Sequence, residues 1–113
     1  MPVKQATRDL QAQEPFLSRI KVILSRAFQG KKCQIYLFGS RATGRHTPVS
    51  DYDFAVLNLG RGAAEVAGRE LSWAREMLEE STIPFIVEIV DLNAAAADFR
   101  RRVQEQGILV WEN

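Results

Sequence analysis

The sequence has little cysteine, little histidine and no long apolar run. Its single histidine, His46, excludes a histidine triad or a histidine-rich metal site, and its single cysteine, Cys33, excludes an intramolecular disulfide. We expect Cys33, beside an apolar run, to be a small core residue rather than a nucleophile. No stretch approaches the roughly 18 apolar residues of a transmembrane helix, and no basic-then-apolar leader begins the chain. We therefore expect a cytoplasmic protein that does not contact a membrane.

Composition and charge indicate one globular domain. Of 113 residues, 46% are hydrophobic and 26% are charged, which is ordinary for a globular protein. We predict an N-terminal arm over residues 1–13 and one domain over residues 14–113. The first 50 residues hold nine Lys or Arg against two Asp or Glu, and the remainder holds six against twelve. We expect these charges to mix on one surface and the run Arg100-Arg101-Arg102 to be a solvated helix face, so direct binding of nucleic acid is not predicted.

Apolar periodicity predicts three helices and four strands. The predicted helices cover residues 14–28, 63–80 and 94–106, and the predicted strands cover residues 34–38, 53–58, 85–90 and 108–111. Pro15 is placed in the first turn of the first helix, and Asn93 is interpreted as the N-cap of the third. These elements predict an α/β (α+β) domain with a small mixed β-sheet and flanking helices.

The stretch from Tyr36 to Asp53 combines a buried-strand pattern, a Gly-Ser turn and two alternate aspartates. Alternate side chains share one face of a strand, so the carboxylates of Asp51 and Asp53 should project side by side. They repel each other unless a cation lies between them, and oxygen ligands of this kind suit Mg²⁺. Gly39 lets the backbone approach a phosphate closely, and the Ser40 hydroxyl can hydrogen-bond it. The stretch therefore predicts a phosphate-binding turn beside a magnesium site.

Two further charged residues stand near these motifs. Glu88 lies among apolar residues of the third predicted strand, where a buried carboxylate requires a cation or hydrogen-bond donors. Arg41 follows the Gly-Ser turn directly. It could contact a phosphate or form a salt bridge with Asp51 or Asp53, and both interpretations stay open.

The spacing Gly39-Ser40, ten residues, Asp51-x-Asp53 resembles the signature of the minimal nucleotidyltransferases of the DNA polymerase beta-like superfamily. The resemblance extends from about Pro15 to the C-terminus, because the segments PFIVEIVDL and GILVWEN are similar to family elements in type and order. It implies a polymerase beta-like nucleotidyltransferase fold.

The resemblance also implies roles for individual residues. The family carries a third acidic residue, usually aspartate, in the later strand. Glu88 takes that position here, and Asp91 is the substitute, although strand parity places it on the other face. The implied catalytic and metal-binding residues are Asp51, Asp53 and Glu88, and the implied nucleotide- and phosphate-binding residues are Gly39, Ser40 and Arg41.

The implied reaction is Mg²⁺-dependent transfer of a nucleoside monophosphate, AMP from ATP, to an acceptor hydroxyl, with two Mg²⁺ ions. Many minimal nucleotidyltransferases act as antitoxins of a HEPN-domain toxin, some by adenylylating a toxin tyrosine. We therefore expect a HEPN-domain partner. Two alternatives stay open: a non-catalytic antitoxin or scaffold that neutralises its partner by binding, and a small-molecule nucleotidyltransferase of the aminoglycoside type. The acceptor, the base preference and a homo- or hetero-oligomeric state are not fixed by the sequence.

Overall fold

A four-stranded mixed sheet carries helices on both of its faces. The computed structural model describes the backbone of residues 3–113 and the side chains of residues 15–113. The strands are β1 (Cys33–Phe38), β2 (Tyr52–Asn58), β3 (Val87–Asp91) and β4 (Ile108–Glu112). The helices are α1 (Val3–Ala27), α2 (Ser40–Thr43), α3 (Gly68–Glu80) and α4 (Ala97–Gln106), with 3-10 turns at Gly62–Ala64 and Leu92–Ala94.

The strands lie in the order β3-β2-β1-β4. Strand β1 runs antiparallel to both of its neighbours, whereas β2 and β3 are parallel. This mixed sheet with flanking helices confirms the predicted fold class. The predicted strands are found within two residues at each end, because each is an apolar run bounded by turn residues.

The larger core lies on the face of the sheet that α1 and α3 cover. From α1 it takes Leu17, Ile20 and Leu24, whose three- and four-residue steps form one helix face. Leu71, Ala74 and Leu78 of α3 join them against β1 and β2. Burial of each such leucine or isoleucine stabilises the fold by about 1.5–3 kcal/mol.

Cys33 is a core residue on this face, as predicted, and its side chain is fully buried. Burial raises the pKa of its thiol to about 11, so the thiol stays protonated and unreactive near neutral pH.

The smaller core lies on the opposite face, where α4 packs. Ala55 and Leu57 of β2 contact Leu92 and Val103 there. At the edge of this cluster the rings of Phe38 and Phe99 meet edge to face, with centroids 5.4 Å apart. This second face carries the candidate site described below.

Three predicted boundaries were wrong. Helix α1 begins at Val3, so Pro15 lies inside it rather than in its first turn. A proline there fits the helical φ but removes one hydrogen-bond donor and crowds the preceding turn, a cost that the helix accepts. Helix α3 begins at Gly68 rather than at residue 63. The segment before it is held outside the helix because the Val66 amide donates to Asn58 Oδ1 at 2.9 Å.

Asn93 is not the N-cap of α4, which begins four residues later at Ala97. Its side chain instead accepts from the Asn58 amide at 2.7 Å and donates to the Asn58 carbonyl at 3.2 Å. This tertiary contact replaces the predicted local one.

The predicted arm, residues 1–13, lies outside the residues whose side chains the structure describes, and its boundary with the domain stays a prediction. Among the described residues, the helices are too short or too polar for any of them to cross a membrane.

Candidate active site

The backbone at Gly39 lies directly against the carboxylate of Asp53. Strand β1 ends at Phe38, which pairs with Asp53 across the antiparallel ladder, and Gly39 follows with φ 74°. A Cβ atom on Gly39 would stand only 2.6 Å from Asp53 Oδ2. Glycine therefore both permits this left-handed turn and leaves room for the carboxylate.

Glu88 stands beside Asp53 on the neighbouring strand. The parallel register of β2 and β3 pairs Asp53 with Glu88, and paired residues in adjacent strands project to the same face. Burial raises the pKa of Asp53, and the negative charges of Glu88 and Asp51 raise it further, as does the hydrogen bond that protonated Asp53 donates to Glu88. The structure thus brings all three predicted carboxylates into one electrostatic neighbourhood.

These oxygen donors fit Mg²⁺. A cation would relieve the repulsion around Asp53, and Mg²⁺ is usually held by one or two carboxylates, with water and substrate phosphates as its other ligands. In the described part of the chain no three His, Cys, Asp or Glu side chains converge closely enough to hold an ion by themselves. The assignment of Asp51, Asp53 and Glu88 as metal ligands stays a prediction.

Asp91 does not substitute for Glu88. It pairs with Val56, three positions along β2 from Asp53, and odd spacing in a strand puts it on the opposite face. Its carboxylate accepts from the Asn93 amide at 3.1 Å. Asp91 is therefore part of the turn after β3.

Arg41 is an internal anchor of the loop that precedes Asp51. Its side chain is only 3% exposed. Its Nε and Nη2 atoms donate to the Ser50 carbonyl at 3.0 and 2.8 Å, and its guanidinium carbon lies 4.0 Å from the centroid of the Tyr52 ring. Among the described residues no ion pair joins Arg41 to Asp51 or Asp53, so the predicted salt bridge is not found. Its predicted phosphate contact stays a prediction.

A cavity of about 370 Å³ opens on the other side of the Gly39-Ser40 turn. Besides that turn, it is lined by Phe38, Thr43, Arg45, Phe99, Arg102, Val103, Gln106 and Gly107. The sequence-based interpretation missed Arg45 and Arg102. The available signal was the helical spacing of Phe99, Arg102, Val103 and Gln106, which places them on one face of α4.

The run Arg100-Arg101-Arg102 is not a uniform solvated face. Arg100 donates to the carbonyls of Leu92, Asn93 and Ala95 and is only partly exposed. Arg101 forms an exposed pair with Asp98 at 3.0 Å, and Arg102 lines the cavity. The predicted solvated face is found for Arg101 and Arg102, which are both exposed, but not for Arg100, whose guanidinium donates to these carbonyls.

The family model described as "Polymerase beta, Nucleotidyltransferase" matches residues 19–113. The chain is 28% identical to a toxin-antitoxin crystal structure with AMP-PNP, with a TM-score of 0.63, and the match covers 84% of this chain and 73% of that one.

The chain is also 25% identical to a chain in the structure of a tri-AMPylated Shewanella oneidensis HEPN toxin in complex with MNT antitoxin, with a TM-score of 0.63. The match covers 89% of this chain and 73% of that one. A minimal nucleotidyltransferase, 24% identical over 86% of this chain and 94% of that one, shares the fold at a TM-score of 0.65. No curated protein sequence is significantly similar to the chain. The match over residues 19–113 shows that the chain belongs to the polymerase beta nucleotidyltransferase family.

Proposed function

We propose that this protein is a Mg²⁺-dependent adenylyltransferase that moves AMP from ATP to a tyrosine hydroxyl of a HEPN-domain toxin and thereby acts as its antitoxin. One observation carries the proposal: Asp53 lies against the Gly39 backbone, with Glu88 opposite it and Asp51 nearby. Such a cluster of like charges destabilises the free protein, and carboxylates perturbed in this way are concentrated at functional sites. This favours a working site over a vestigial one.

The proposed reaction is an in-line displacement at the α-phosphorus of ATP. The acceptor oxygen attacks the α-phosphorus, the bond from that phosphorus to the oxygen bridging it to the β-phosphate breaks, and pyrophosphate leaves. Bound Mg²⁺ would neutralise charge on the phosphates and on the leaving oxygen. Glu88 is exposed beside Asp53, so its carboxylate is placed to accept the proton of an incoming hydroxyl. The Gly39-Ser40 turn orients the triphosphate, and positioning supplies most of the rate.

The openness of the site supports a protein acceptor. Asp51 and Glu88 are both exposed, and Glu88 lies on β3, an edge strand of the sheet. A tyrosine on the surface of a partner can therefore reach the carboxylates without entering a closed pocket. The similar Shewanella oneidensis structure is that of an AMPylated HEPN toxin with its MNT antitoxin, which supports a partner of the same kind here.

The test is intact-mass spectrometry of a candidate HEPN-domain partner protein after incubation with the purified protein and Mg-ATP. We expect an AMP adduct on a tyrosine with the wild type and none with Asp53→Asn, together with loss of neutralisation by the variant. Full neutralisation without any adduct would replace the proposal by stoichiometric binding.

A further inference from the structure

We propose that the groove between α3 and β3 is the docking site for the acceptor protein, and that it binds an extended segment with an apolar side chain and a lysine or arginine near the acceptor tyrosine. The groove is lined by Arg75, Leu78 and Glu79 of α3 and by residues 83–90, and we call it the edge groove. The inference rests on the proposed function, since it gives the proposed acceptor a place to bind.

The edge groove adjoins the carboxylates of the candidate active site. Glu88 is part of its wall and pairs with Asp53 on β2. Ile86, two residues before Glu88, extends the pairing of β3 with β2, because its carbonyl accepts from the Tyr52 amide at 2.9 Å. Alternate residues of an extended segment share one face, about 6–7 Å apart. A side chain that contacts Ile86 therefore belongs to a residue close to the tyrosine that meets Glu88.

An apolar surface in the edge groove is open to water. Ile86 is 64% exposed, and Pro84 is exposed as well. The buried side chains of Leu78, Ile83 and Ile89 also line the groove. Single exposed apolar residues are common on protein surfaces, but an apolar lining in a concave groove of about 780 Å³ indicates a surface for a partner's side chain.

The main chain of β3 limits how a partner can bind. β3 is an edge strand, and because the Ile86 carbonyl faces β2, strand alternation turns the main-chain groups of Val87 and Ile89 outward. The Ile89 carbonyl already accepts from Arg75 Nη2 at 2.7 Å and from Nε at 3.3 Å. Arg75 thus blocks the continuous ladder that an added strand would need. Binding through side chains that enter the groove is therefore favoured over addition of another strand.

The charge of the edge groove favours a basic segment. Glu79 lines it, and Glu76 and Glu80 are exposed close by on α3. Their charges add to the negative end of the helix dipole, and the last turn of α3, which is fully described, contains no basic residue. None of the three forms an ion pair with a described residue, and Arg75 is engaged with the Ile89 carbonyl. A lysine or arginine of the partner would offset this unfavourable arrangement.

The experiment measures, by calorimetry without ATP, the affinity for a candidate HEPN-domain partner protein, and then the KM and kcat of AMP transfer to it from α-labelled ATP. Ile86→Ser should weaken the complex and raise the KM for the partner by about tenfold to a hundredfold, the effect of losing one buried aliphatic side chain. Its kcat and its affinity for ATP should not change. Leu59→Ser is the matched control, because Leu59 is an aliphatic residue, 49% exposed, that follows the far end of β2.

Glu79→Lys tests the charge of the edge groove. It should weaken the complex by about twofold to tenfold, and the loss should shrink at high salt. Glu105→Lys, at an exposed position of α4, makes the same change in net charge and should bind as the wild type does. All four substituted residues are exposed, and thermal unfolding should confirm that the variants stay folded. A photo-reactive amino acid in place of Ile86 should crosslink to partner residues within a few positions of the adenylylated tyrosine.

Equal affinity for the partner in Ile86→Ser, Glu79→Lys and both controls would overturn the inference, as would crosslinks confined to segments remote from the tyrosine. Loss of self-association in Ile86→Ser, with the partner still bound normally, would assign the edge groove to a second copy of this chain. If the groove variants weaken the complex but the wild type transfers no AMP, the docking site stands and the proposed function falls. If the groove variants adenylylate the partner with unchanged KM, only the inference falls. A partner that the wild type neither binds nor adenylylates would contradict both.

Discussion

At the residue scale, Gly39 combines a backbone requirement with a functional one. Its φ of 74° lies where residues with a Cβ atom are disfavoured, and its missing side chain is the space that Asp53 Oδ2 approaches. Gly30 has nearly the same backbone conformation, with φ 76°, but a Cβ there would meet nothing within 4 Å. Comparing an alanine substitution at Gly39 with one at Gly30 therefore distinguishes the cost of backbone strain from the cost of displacing the Asp53 carboxylate.

We predict that Gly39→Ala and Gly30→Ala each lower the free energy of unfolding by at least about 1–2 kcal/mol, the cost of a left-handed conformation for alanine. Only Gly39→Ala should also lose nucleotidyl transfer, by about a hundredfold, because it shifts the Asp53 carboxylate. Urea denaturation and an initial-rate assay measure the two effects. A Gly39→Ala protein that transfers at the wild-type rate would show that the contact with Asp53 is not needed.

At the element scale, the start of α3 depends on Glu70. Its carboxylate accepts from the Ala67 amide at 3.0 Å and contacts Arg69 at 2.8 Å and Lys31 at 3.4 Å. Burial alone would raise the pKa of Glu70, but the hydrogen bond from Ala67 and the contacts with Arg69 and Lys31 outweigh it, and the pKa is lowered. Ionised Glu70 therefore stabilises the folded state.

The sign of this effect fixes its pH dependence. Because the folded pKa is depressed, the stabilisation is present above the unfolded value, near 4.5, and is lost as the pH falls through the lower folded value. We predict that Glu70→Gln costs about 1 kcal/mol at pH 7 and that the two unfolding curves converge in acid. Glu76→Gln, at an exposed position of the same helix, should differ little from the wild type at either pH. A constant gap for Glu70→Gln across the acid range would contradict this account.

Arg41 links α2 to the loop that ends at Asp51. Its guanidinium is buried against Tyr52 and donates to the Ser50 and Pro48 carbonyls. We predict that Arg41→Met lowers the free energy of unfolding by about 1.5–3 kcal/mol, whereas Arg61→Met, at an exposed loop position, changes it little. Chemical denaturation and ATP titration distinguish the two roles of Arg41. Wild-type stability with loss of ATP binding would make it a phosphate ligand instead of an anchor.

At the scale of the whole molecule, the site residues with local signals could be predicted from the sequence. The Gly-Ser turn, Asp51 and Asp53 lie within one short stretch. The family resemblance indicated Glu88 as the third acidic residue, and strand parity turned Asp91 to the other face, as the register of β2 and β3 shows. The fold followed from the same apolar runs.

The features that escaped prediction depend on contacts between distant segments. The burial of Arg41 requires the rings of Tyr52 and Phe85, and the late start of α4 follows from the contact between Asn93 and Asn58. The place of Arg102 is set by the packing of α4 against the end of β1. None of these contacts between distant segments produces a periodic pattern in the sequence.

The most direct test of the central claim is transfer of label from α-labelled ATP, with Mg²⁺, to a candidate HEPN-domain partner protein. Wild type and Asp53→Asn should be compared in the same assay, with complex formation measured for both. Label on the toxin with the wild type and none with the variant is the predicted result. An unlabelled toxin that both proteins bind and neutralise equally would contradict it, and the carboxylates around Asp53 would then need an explanation other than catalysis.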